Sequence, residues 1–110
     1  MVPTLNDHGF SDHVLEASGF VGVAFIDFFS TPCDHFRPEL EALADLLLGK
    51  LKLYSVDVTE NPSLTEYMAV EAVPTLVVFH EGEEVGRYEG PYSREALIDR
   101  IHRLMSDKPA

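Results

Sequence analysis

The chain has 110 residues and a formal net charge of −11, from 8 Lys and Arg against 19 Asp and Glu. That length fits one domain, residues 1–110, and that charge argues against nucleic-acid or anionic-membrane partners, both of which are held through Lys and Arg patches. The single cysteine excludes an intramolecular disulfide, no stretch approaches the roughly 20 apolar residues of a membrane span, and the first residues lack the basic start and apolar core of a signal peptide, so the expectation is a cytoplasmic domain.

Residues 6–19 read as a short first helix. Asn6 or Ser11 can cap it, Phe10, Val14 and Leu15 recur at helical spacing, and Gly19 stops it. Phe20 to Phe29 is nearly continuous apolar sequence rich in β-branched and aromatic types, the pattern of a strand covered on both faces. Asp27 is the polar anomaly inside it. Pro38 to Leu48 sets Leu40, Leu43, Ala44 and Leu47 at helical spacing between acidic residues, an amphipathic helix that Gly49 ends. Leu51 to Val58 alternates as a strand, and Asn61-Pro62 opens a helix as cap and first-turn residue, with Leu64, Tyr67 and Met68 on one face. Pro74 to His80 reads as a strand, Glu81-Gly82-Glu83 as a hairpin turn, and Glu84 to Glu89 as the antiparallel partner. Ser93 caps a last helix whose buried stripe is Leu97, Ile98, Ile101, Leu104 and Met105, with fraying expected after Ser106. A short edge strand near Val2 to Leu5 completes the order. Strands alternating with helices, then a hairpin and a helix, predict an α/β fold. Its central sheet is mixed, parallel in its first part and antiparallel in the C-terminal hairpin, with helices on both faces.

Four local sequences within residues 5–105 together resemble the thioredoxin family. They are Ile26-Asp27-Phe28-Phe29 at the end of the buried strand, Val56 to Pro62 at a strand-to-helix passage, Val73-Pro74-Thr75 before a strand, and Tyr88-Glu89-Gly90 ahead of Ser93. The resemblance implies the thioredoxin fold and thiol–disulfide exchange in redox homeostasis, with no cofactor. It implies a cis bond before Pro74, a substrate groove formed by Val73, Pro74, Thr75 and Gly90, and proton handling by Asp27. It further implies protein or peptide clients beside Pro74, and a thioredoxin reductase as electron donor.

The resemblance breaks at the active-site loop Phe29-Ser30-Thr31-Pro32-Cys33. Measured against the family pattern, the three residues Trp-Cys-Gly are missing between Thr31 and Pro32. On that alignment Cys33 stands at the resolving position, the attacking cysteine is gone, and dithiol reduction is impaired. On a competing alignment the shortening falls inside the helix and Cys33 itself is the nucleophile near a helix N-terminus, with His35 beside it. A connection tolerates shortening better than a packed helix. The Lys that partners the buried Asp in the family falls at Ser55. The rival function is a redox-inactive binding or chaperone-like module that uses the groove beside Pro74 with Cys33 dispensable. The five histidines show no metal-ligand spacing, so no metal is expected. A shortened hinge also raises the prospect of a homodimer that swaps the segment up to about Phe29.

Overall fold

The long apolar run becomes the centre of a four-stranded sheet ordered β2-β1-β3-β4. The computed structural model describes residues 2–107. β1 (Phe20–Ile26) pairs in parallel with β2 (Leu51–Asp57) and antiparallel with β3 (Thr75–His80), which pairs antiparallel with β4 (Glu83–Glu89). α1 (Asp7–Phe10) continues into a π-helical turn (Ser11–Leu15), followed along the chain by α2 (Thr31–Leu46), α3 (Pro62–Tyr67) and α4 (Arg94–Asp107). This is the mixed sheet covered on both faces that the element order predicts.

Every residue of β1 is buried, because both of its faces are covered. Val21, Val23 and Phe25 pack with Phe10, Val14, Leu64 and Met68 beneath α1 and α3. Ala24 and Ile26 pack with Phe36, Leu40, Leu43, Leu97 and Ile101 beneath α2 and α4. Each large apolar side chain buried this way contributes about 1.5–3 kcal/mol, which is why the run contains no polar residue before Asp27. Among the described residues, no helix is long and apolar enough to cross a membrane.

Several boundaries differ from the sequence expectation. The first helix ends at Leu15, short of Gly19. Its cap is Asn6, whose side chain accepts the Gly9 N–H at 3.0 Å. The edge strand near Val2 shrinks to one bridge, Thr4 with Ser55. There the Leu5 N–H donates to the Ser55 carbonyl and the Ser55 N–H to the Pro3 carbonyl, at 2.8 and 2.9 Å. Pro3 has no N–H with which to extend the ladder.

The second helix starts at Thr31 rather than Pro38. Ser30 caps it, its Oγ accepting the Cys33 N–H at 3.3 Å, and Pro32 takes the early-helix place at which proline is tolerated. Pro38 therefore lies inside the helix. Asn61 caps nothing with its side chain; its Nδ2 donates to the Asp57 carbonyl at 3.0 Å. Tyr67 is 73% exposed, leaving Leu64 and Met68 as the buried face of α3. The predicted cap of α4 is present, with Ser93 Oγ accepting the Ala96 N–H at 3.2 Å. Helix α4 continues through Asp107, and the rest of the segment expected to fray, residues 108–110, lies outside the described residues.

The β3–β4 hairpin turns on Glu81 and Gly82, with φ of 52° and 81°. A Cβ on Gly82 would sit 2.2 Å from the Leu15 carbonyl oxygen, so glycine is required there for both conformation and space.

Candidate functional site

The strand predicted to reach Phe29 stops at Ile26, and Asp27 begins a tight connection into α2. Asp27 Oδ1 accepts the Phe29 N–H at 2.9 Å, and the Ser30 N–H donates to the Asp27 carbonyl at 3.2 Å. Asp27 thus shapes its own turn. It lies half-buried at the strand end rather than inside the strand, because the turn needs its carboxylate. The same turn throws Phe29 outward, 89% exposed, beside exposed Thr31 and Pro32.

Cys33 follows in the first turn of α2 and is fully buried, with 0% exposure. Its Sγ accepts the Asp27 N–H at 3.3 Å. It belongs to the core that holds Ala24, Ile26, Phe36, Leu76 and Leu97. Cys33, Phe36, Leu40, Leu43 and Leu47 form one continuous buried stripe at helical spacing. Removing three residues from within a helix turns everything beyond by about 300°. An unbroken stripe therefore fits a shortening in the connection ahead of Pro32. His35, the cation considered for the competing alignment, is exposed.

The start of β3 lies at the same end of the sheet. Thr75 pairs with Phe25 on one side and Glu89 on the other. The peptide bond between Val73 and Pro74 is cis. Thr75 Oγ1 donates to the Ala72 carbonyl at 2.7 Å, and the Gly90 N–H donates to the Pro74 carbonyl at 2.8 Å. Among the described residues the main-chain N–H and C=O of Val73 make no hydrogen bond, so both lack a partner within the fold. Val73, Phe28 and Tyr92 are half-buried against the core that contains Cys33. The structure thus brings Val73, Pro74, Thr75 and Gly90 to one rim, with Phe29 and Pro32 on the neighbouring connection and Cys33 beneath.

The sequence reading missed Arg37. Its guanidinium lies over the Phe28 ring, 4.3 Å from the centroid. The available signal was its place one helical turn after Cys33, on the flank of the buried stripe. Ser55, standing where the family resemblance implies Lys, is 5% exposed, with its Oγ 3.4 Å from Thr4 Oγ1. Among the described residues, no three His, Cys, Asp or Glu side chains gather as a metal-ligand set.

The sequence matches the thioredoxin family over residues 1–103. It is 35% identical over 102 residues to a thioredoxin of Staphylococcus saprophyticus, covering 90% of this chain and 93% of that one. It is 34% identical over 103 residues to a thioredoxin of Chlamydia trachomatis, covering 94% of this chain and 98% of that one. A match to protein disulfide-isomerase A3 of Gallus gallus is 33% identical over 102 residues and covers 93% of this chain but 20% of that protein, so the chain spans about a fifth of that relative. With the sheet order, the match through residue 103 and relatives aligned over nearly their whole length, the chain belongs to the thioredoxin family, a lineage of thiol–disulfide oxidoreductases.

Proposed function

We propose that this chain binds extended protein clients in the groove beside Pro74, with Cys33 packed in the core and dispensable for binding. The observation that carries this reading is the 0% exposure of the only cysteine, beside a rim where, among the described residues, the Val73 main-chain groups make no hydrogen bond. A client strand paired with Val73 gains main-chain hydrogen bonds, and exposed Phe29 offers an apolar anchor. The clients are proteins or peptides, and the acidic surface favours those with basic segments. Asp27 serves this binding by shaping the connection that presents Phe29. The reducing cytoplasm suits a lone unpaired thiol.

Single-thiol exchange is the second reading, and it is favoured by the exposed neighbours of Cys33. Thr31, Pro32 and Asp34 all face solvent, so unwinding one turn of α2 would bring Sγ to water. The Cys33 thiolate would attack a client disulfide R–S–S–R′, forming Cys33–S–S–R and releasing R′–S⁻. The thiol proton leaves before that attack, and Asp27, whose main-chain N–H donates to Sγ, is the residue to which the family resemblance gives that proton. No second cysteine is present to resolve the product, so a reductase could not drive repeated turnover through this chain alone.

The test is an amide chemical-shift titration with an extended peptide that contains no cysteine. The expected result is a set of saturable shifts at Val73, Thr75, Gly90 and Phe29 that persists in Cys33→Ala. Absence of such shifts, or their loss in a folded Cys33→Ala protein, would overturn the client-binding reading.

A further inference from the structure

Two exposed lysines flank an apolar edge at the end of the sheet opposite Cys33, where Leu51 pairs with Phe20. β2 is an outer strand of the sheet, and the N-terminal segment pairs with it only at Ser55. From Leu53 back to Leu51 its outer edge has no neighbouring strand among the described residues. A groove along that edge is lined by Pro3, Ala44, Leu48, Leu53 and Tyr54, with Lys52 beside them. We propose that this edge docks an extended segment of a partner protein in which apolar residues alternate with Asp or Glu.

The charges supply the first argument. Every arginine of the chain is engaged: Arg87 pairs with Glu84, Arg94 with Glu39, and both Arg100 and Arg103 with Asp99, while Arg37 lies over the Phe28 ring. Among the described residues, the side chains of Lys50 and Lys52 have no such partner, and both are exposed. In a chain of net charge −11, these two uncompensated cations stand one residue apart at an open strand edge. Lysine on such an edge repels basic and like-charged strands. The same lysines attract an acidic one, so they select a partner by charge.

Strand geometry sets the pattern of the partner. Ser55 turns its N–H and C=O outward to the N-terminal segment. Strand alternation turns those of Leu53 the same way, and Pro3 has no N–H to meet the Leu53 carbonyl. The Leu51 and Leu53 side chains lie on the face covered by α2, beside Leu48, which is 83% exposed. Lys52 points to the opposite face by the same alternation. An added strand therefore meets leucines with every second side chain and a lysine with those between, which calls for apolar and acidic residues in turn. A second copy does not fit. Antiparallel pairing of residues 51–53 with themselves sets Lys52 directly opposite Lys52, and like charges so placed are destabilising. Nucleic acid and anionic membrane would meet the whole chain's negative charge, which two lysines do not outweigh.

The test uses the whole chain, labelled with ¹⁵N, and a short end-blocked peptide in which Glu alternates with Val. The comparison probes are the same peptide with Lys in place of Glu, and vesicles of phosphatidylglycerol and phosphatidylcholine. The readouts are the amides of Leu48 and of residues 50–53. The Glu–Val peptide is expected to give saturable shifts there, and the Lys–Val peptide and the vesicles none. Lys52→Glu is expected to weaken the Glu–Val peptide by about tenfold or more and to admit the Lys–Val peptide. Leu48→Ser is expected to weaken the Glu–Val peptide by about threefold. Both positions are exposed, so both variants keep the fold. The proposal is overturned by no saturable shift, by equal responses to the two peptides, or by unchanged affinity in both variants. Shifts confined to Val73 and Gly90 overturn it too, since they place the peptide in the other groove. So do shifts at these amides from vesicles, which assign the edge to a membrane surface, or from concentrating the chain alone, which assign it to a second copy.

Discussion

The main-chain N–H of Asp27 donates to the sulfur of Cys33 at 3.3 Å, tying the end of β1 to the first turn of α2. The thiol that stands at the resolving position by family resemblance is here part of the core. Cys33→Ala should therefore behave as a packing variant. The expected loss is about 1–2 kcal/mol, read as a fall of roughly 5–10 °C in thermal midpoint. An unchanged midpoint would mean that the sulfur is not packed as described.

Phe29 makes the opposite prediction. An 89% exposed ring contributes little to the fold, so Phe29→Ala should change stability by no more than about 0.5 kcal/mol. As an anchor it should matter for binding, with client affinity falling by about 1–2 kcal/mol. Thermal unfolding and isothermal titration of the same variant separate the two effects.

Glu39 and Arg94 join α2 to α4, with Glu39 Oε2 accepting from the Arg94 main-chain N–H at 2.9 Å and from its Nε at 2.7 Å. The Arg94 side chain first, and its main-chain N–H second, hold the Glu39 carboxyl below its ordinary value of 4.5. A folded-state value lower than the unfolded one means stability that is fully present above about pH 4.5 and is lost as pH falls through the lower, folded value. Glu39→Gln should therefore flatten the acid limb of a stability-against-pH curve just below pH 4.5, with no change in shape near neutrality. An acid limb identical to the parent's would assign that pH dependence to other carboxylates.

Gly82 and Gly49 both have positive φ, 81° and 85°, but only Gly82 is crowded. Alanine at Gly49 meets no atom within 4 Å and should cost only the backbone penalty of about 1–2 kcal/mol. Alanine at Gly82 must also displace the Leu15 carbonyl, 2.2 Å from the new Cβ. Denaturant unfolding should place Gly82→Ala below Gly49→Ala by at least about 1 kcal/mol.

Inserting Trp-Cys-Gly between Thr31 and Pro32 should restore dithiol chemistry. The new cysteine would stand three places before Cys33, in a longer and exposed connection. The insertion variant is expected to speed insulin reduction by dithiothreitol, whereas the parent chain leaves it at the uncatalysed rate. No gain in a folded insertion variant would count against the placement of the shortening.

The order of elements along the chain and the two-faced burial of β1 were readable from sequence because apolar periodicity reports burial directly. The cis bond before Pro74 came instead from the family resemblance, carried by the local motif Val73-Pro74-Thr75. The helix start at Thr31 was obscured because Pro38 looks like a first-turn proline, while the residue in that early-helix position is Pro32. Asp27 and Phe29 were placed in the strand because composition cannot register an Asp that folds back onto its own turn. Arg37 was invisible for a further reason: its stacking on Phe28 depends on how α2 lies against the connection before it. One residue type carries no such information.

The most direct measurement is the alkylation rate of Cys33 in the native protein, set against the same chain in denaturant and read by intact mass. With the thiol 0% exposed, the native rate should be slower by about a hundredfold or more, with one alkyl group added after unfolding. A native rate equal to or faster than the unfolded one would contradict the account and make Cys33 a working nucleophile.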